Sequence, residues 1–249
     1  MYLLKFGYDG TKFDSFSFEK NRYTVLGEIL KILKEYNISD NVYTSSRTDR
    51  NVSAIGNVIG IISSDNINKI MGILNSKTKY MLFHSYAIVE NDFKPRYAKE
   101  RWYRYFLFNR NFNIDEMEKK ATQFIGEHDF SNFSRKDERK SVRKIFKIEI
   151  KSDDDFIIID VRGQSFLWNM VRRIIGFLAY GEGDPYSNVS RYIVPAENLV
   201  LMDVIYDFNF KTLPVNKNFL KDYWKIRTSL FIYREFNKIS EGRWGIEPQ

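Results

Sequence analysis

Residues 44–54 run Thr-Ser-Ser-Arg-Thr-Asp-Arg-Asn-Val-Ser-Ala, a polar stretch between two β-rich runs. Arg47 and Asp49 stand two apart, so in extended backbone both side chains leave on the same side. An arginine placed so would lower the carboxylate's pKa, hold it ionised and orient it. An oriented, ionised carboxylate is a competent nucleophile. The same residues also suit a turn in which Asp49 bonds the backbone and Arg47 is solvated.

Residues 93–105 alternate cations with aromatic rings, among them Arg96, Arg101, Tyr103, Arg104 and Tyr105. Cations meet phosphates and rings stack on unpaired bases, which makes this a candidate nucleic-acid contact. A half-buried strand with its arginines outward fits the pattern equally. Residues 166–176 read as a core helix, with Arg172 near its middle as the one member that could point into a site. Two further groups carry less. Asp153, Asp154 and Asp155 fit a hairpin turn better than a magnesium site. His128 has no identifiable partner and reads as structural.

Periodicity supplies the elements around these residues. Strand-like runs occupy 1–9, 41–43, 56–62 and 80–89, and helical runs occupy 24–36 and 66–74. The order β-α-β-β-α-β then recurs: strands over 102–108, 142–150, 156–161 and 198–206, helices over 114–124 and 166–180. A doubled pattern of this kind predicts an α+β protein of two ferredoxin-like halves, with helices on one face of an extended sheet. The expected division is 1–92, 93–210, and an aromatic and basic extension over 211–249, with a helix around 219–236.

Composition narrows the classes of function. The 249 residues carry 43% hydrophobic side chains, enough for a sizeable core. There is no cysteine, which removes disulfides, thiol nucleophiles and zinc–thiolate sites, and two histidines leave few ways to build a hydrolase triad. No apolar run reaches the roughly 18 residues that span a bilayer, and the start lacks the features of a secretory signal. The expectation is a soluble, cytoplasmic protein that needs no membrane. The net charge is +7, concentrated in blocks at 93–110, 134–147 and 211–249. Such segregation suits a basic face for an anionic partner.

Taken in order along the first 210 residues or so, these segments resemble the tRNA pseudouridine synthase A family. Tyr8-Asp9-Gly10-Thr11 and Thr24-Val25 resemble its opening, and Arg47-Thr48-Asp49 with Val52 and Ala54 its signature loop. Phe93, Arg96, Arg101 and Tyr103-Arg104-Tyr105 resemble its second motif. Residues 126–130 with Phe133 resemble a further block. Phe166-Leu167, Met170-Val171-Arg172 and Gly176 resemble its third motif, and Pro195-Ala196, Leu199 and Leu201 its closing strand. The resemblance implies that Asp49 is the catalytic aspartate, Arg47 its paired arginine, Tyr103 the tyrosine packed against the target base, and Arg172 the arginine of the third motif. With Tyr103, Arg96, Arg101 and Arg104 are expected to bind substrate. It implies tRNA as substrate, uridines 38 to 40 of the anticodon stem-loop as targets, no cofactor or metal, and a homodimer. A non-catalytic RNA-binding protein on the same scaffold is the alternative. The sequence departs from the family's usual loop at Ser46, Asn51 and Ser53, and Trp168-Asn169 differ in the third motif.

Overall fold

The computed structural model of the chain describes residues 1–134, 141–153, 155–187, 191–214 and residue 232. It divides into two units, Met1–Leu213 and Pro214–Gln249. The helix expected over 219–236, nearly all of the 211–249 extension and the cation-rich part of 134–147 lie outside the described residues.

In the first unit, β1 (Tyr2–Tyr8), α1 (Val25–Glu35), β2 (Tyr43–Thr44), β3 (Ser53–Ile61), α2 (Ile67–Lys77) and β4 (Met81–Ile88) come first. β5 (Glu100–Phe108), α3 (Ile114–Thr122), β6 (Gly126–Asp129), β7 (Val142–Asp153), β8 (Phe156–Gly163), α4 (Met170–Tyr180), β9 (Leu199–Ile205) and β10 (Lys211–Thr212) follow. Ten strands make one sheet in the order β10-β4-β1-β3-β9-β5-β8-β7-β6, with β2 paired to β3 off this path. The order β4-β1-β3-β2 and the order β9-β5-β8-β7 are the same ferredoxin-like arrangement used twice. The halves join where Ser53 and Ala54 of β3 pair in parallel with Val200 and Leu201 of β9.

The helices form where the apolar spacing and the caps coincide. Val25, Ile29, Ile32 and Leu33 bury one face of α1, and the Thr24 hydroxyl accepts the Gly27 N–H at 3.1 Å. Asn66 and Asn113 cap α2 and α3 in the same way. α1 packs on α2 and α3 on α4. Phe124 anchors the second half, meeting Phe133 at 5.1 Å and Phe177 at 5.7 Å between ring centres. Phe6 stacks on Phe83 at 4.9 Å in the first.

Several elements differ from the sequence expectation, α2 and β7 by running on to Lys77 and Asp153. β3 begins at Ser53 rather than at residue 56, because its first residues pair with β9. α4 begins at Met170, since Asn169 sits at φ 61 and turns the chain just before it. β6 and β10, edge strands of four and two residues, were not expected.

Candidate active site

Loop 45–52 leaves the sheet at the end of β2 and returns at the start of β3, and several independent contacts fix its path. The Ser45 N–H donates to the Val58 carbonyl at 3.0 Å. The buried Asn57 amide donates to the Ser46 carbonyl at 3.1 Å and to the Tyr8 hydroxyl at 3.2 Å. Tyr8 in turn pairs with the Thr48 hydroxyl at 2.9 Å. The Val52 N–H closes a turn on the Asp49 carbonyl at 3.2 Å. Asn51 takes φ 67 within that turn, a conformation asparagine tolerates better than most residues. The Asp9-Gly10-Thr11 turn abuts the end of the loop. A Cβ at Gly10 would lie 2.0 Å from the Val52 carbonyl oxygen, so only glycine permits the approach, and the Gly10 N–H donates to the Ser53 hydroxyl at 3.0 Å.

This path presents the Asp49 carboxylate to α4. Arg172 Nη1 stands 3.6 Å from Asp49 Oδ2, with both side chains largely buried. Arg172 is itself held: Nε donates to the Val194 carbonyl at 2.8 Å and Nη1 to Asn169 Oδ1 at 3.2 Å. Burial raises the Asp49 pKa, and the positive charge and hydrogen bonding of Arg172 oppose that rise without cancelling it. Tyr103, on β5, is 8% exposed and meets Phe166 edge-to-face at 5.3 Å. Burial pushes its phenol far above the usual range, with the charges of Tyr8 and Asp49 adding to the shift, so it stays protonated. These groups line one cleft of about 840 Å³, within the size range of small-molecule sites.

The structure therefore brings Asp49, Tyr103 and Arg172 together across both halves. It treats the other expected site residues differently. Arg47 lines the cleft but is exposed, and among the described residues the ion pair of Asp49 is with Arg172 instead. Spacing in sequence suggested the Arg47–Asp49 pairing, whereas Arg172 of α4 is the arginine that reaches the carboxylate. Arg96 is exposed at the cleft and donates to the Tyr97 hydroxyl at 2.6 Å. Arg101 is buried, its guanidinium occupied by Ser46, Ala98, Gln164 and Arg96, so it does not stand at the mouth as a free cation. Arg104 points to the opposite face of β5 from Tyr103 and makes a bidentate pair with Asp160, both bonds 2.8 Å. Tyr8, Ser46, Asn57 and Asn169 support the site and were not anticipated. The polar Asn57 inside the apolar run of β3 was a signal available in the sequence.

A carboxylate, an arginine and a tyrosine lining one cleft between two fused ferredoxin-like halves form an arrangement that can support carboxylate-assisted chemistry. A family model for tRNA pseudouridine synthase matches residues 121–189. A tRNA pseudouridine synthase A from Picrophilus torridus is 41% identical over 208 residues, covering 82% of each chain. One from Thermoplasma volcanium is 36% identical over 238 residues, covering 93% of this chain and 95% of its own. One from Pyrococcus furiosus is 44% identical over 177 residues, covering 70% of this chain and 66% of its own. The chain belongs to the tRNA pseudouridine synthase A family, and is an isomerase. No helix among the described residues is long and apolar enough to cross a membrane.

Proposed function

We propose that the chain converts uridines 38 to 40 of the tRNA anticodon stem-loop to pseudouridine, with Asp49 as nucleophile and no cofactor. The convergence of Asp49, Tyr103 and Arg172 in one cleft, in a chain of this family, carries the reading. The reaction breaks the N1–C1′ glycosidic bond, turns the base and forms a C–C bond from C5 of the uracil to C1′ of the ribose, with C5 losing its proton and N1 gaining one. Attack by the carboxylate at C6, attack at C1′, and elimination to a glycal all require an ionised carboxylate at the sugar–base junction. Arg172 favours that ionised form against the effect of burial. A stacked base must be flipped out before Asp49 can reach it, and the Tyr103 ring would pack against it in the cleft. The exposed Arg47, Arg50 and Arg96 at the cleft suit the flanking phosphates. The working form is a cytoplasmic homodimer, as the family resemblance implies.

The test is incubation of the purified protein with unmodified tRNA transcripts, followed by chemical mapping of pseudouridine at each nucleotide. Product at 38 to 40 is the expected outcome. Product confined to other uridines would overturn the target assignment, and no product on any tRNA would overturn the reaction.

A further inference from the structure

Arg101 is 7% exposed, and its guanidinium spans three separate segments. Nε donates to the Ser46 hydroxyl at 3.3 Å, three residues before Asp49. Nη1 donates to the carbonyls of Ala98 at 3.2 Å and Gln164 at 2.5 Å, and Nη2 to that of Arg96 at 2.5 Å. Gln164 opens the segment that runs past Phe166 into α4 and Arg172. Arg96 and Ala98 belong to the strap that enters β5. Arg101 and Tyr103 share one face of that strand. One side chain thus touches every segment that delivers a site residue.

We propose that Arg101 is a positioning residue that ties the Asp49 loop to the two other walls of the cleft, rather than a ligand of RNA phosphate. The proposal rests on the reaction at Asp49 set out above. A buried cation is costly, and among the described residues no carboxylate offsets this one. Its partners are three carbonyl oxygens and a hydroxyl, which a planar guanidinium can reach in divergent directions at once. A lysine concentrates its donors on one nitrogen and cannot bridge these four positions. Asn57 and Tyr8 hold the Ser46 carbonyl and the Thr48 hydroxyl independently. Removing the Ser46 hydroxyl therefore cuts the tie to Arg101 and leaves the rest of the loop anchored.

The experiment measures single-turnover rate, tRNA affinity and the salt dependence of affinity for wild type, Arg101→Lys, Arg101→Gln and Ser46→Ala. Arg101→Lys is expected to lower the rate about 100-fold, the scale of a 1 Å misplacement of reacting groups. Affinity should stay within about threefold of wild type, with an unchanged salt slope. Ser46→Ala should lower the rate less, again without loss of affinity. Arg101→Gln removes the charge that lysine keeps, so a fall in affinity with a salt slope smaller by about one in that variant would mark Arg101 as a phosphate ligand and overturn the proposal. So would wild-type rates in a folded Arg101→Lys. If Arg101→Lys does not fold, Ser46→Ala decides: a slower rate at unchanged affinity supports the tie, and a wild-type rate overturns it. A wild type inactive on every tRNA would instead remove the reaction, and the affinity and salt measurements would still separate tie from ligand.

Discussion

The two halves share an arrangement of elements and divide the chemistry unequally. In the second half β8 pairs with β7 along its whole length, from Phe156, opposite Asp153, to Gly163. In the first half the equivalent of β7 is β2, which has only two residues and pairs with β3, the equivalent of β8, at Ile59 and Gly60 alone. That shortening has two consequences. The start of β3 is left free to pair with β9, which fuses the halves. The eight residues from 45 to 52 are released from the sheet and fold over the junction with Asp49. A repeated topology thus gives one half a loop that carries Asp49, the proposed nucleophile, and the other a wall that carries Tyr103 and Arg172.

The comparison breaks first at Arg172. Arg172→Gln should lower the rate by about 100- to 1000-fold, the range seen when one preorganised electrostatic group is removed. Burial would then act on Asp49 without its main opposing charge. The acidic limb of the pH–rate profile should consequently move to higher pH; an unmoved limb would separate Arg172 from the carboxylate. Tyr103→Phe should cost about tenfold or more in rate and leave tRNA affinity largely intact, because the ring survives. An affinity loss as large as the rate loss would contradict its proposed place beside the base. Asn51→Val should lower stability by about 1–2 kcal/mol in thermal unfolding, since a β-branched residue resists φ 67, whereas Asn51→Gly should be tolerated. Arg104→Gln, on the other face of β5, should cost about 1–2 kcal/mol through the lost bidentate pair and leave the rate within about twofold. A large rate loss there would show that the sheet's two faces are coupled.

Much of this arrangement was legible in the sequence. Helical spacing gave α1 and α2, alternation gave β5, and the order of elements gave the doubled fold. Asp49, Tyr103 and Arg172 came from types and positions matching a family's motifs. What was not legible has a common cause, which is that side-chain partners distant in sequence decide the role of a polar residue. Two-residue spacing put Arg47 beside Asp49, but Arg172, far along the chain, is the arginine that reaches the carboxylate. Arg101 and Arg104 look alike in an alternating strand, but one finds backbone carbonyls and the other finds Asp160. Tyr8 and Asn57 lie 49 residues apart and meet under the loop, a contact no local pattern encodes.

The most direct test of the account is Asp49→Asn, read for product and for stability together. Burial raises the Asp49 pKa in the folded protein, so the charged form is disfavoured there relative to the unfolded chain. That cost is present above the folded pKa and vanishes below the unfolded value of about 3.9. The account predicts that Asp49→Asn binds tRNA, forms no pseudouridine, and melts at pH 7 no lower than wild type, with any advantage lost in acid. A variant that keeps full activity would contradict the central claim that Asp49 is the group that acts.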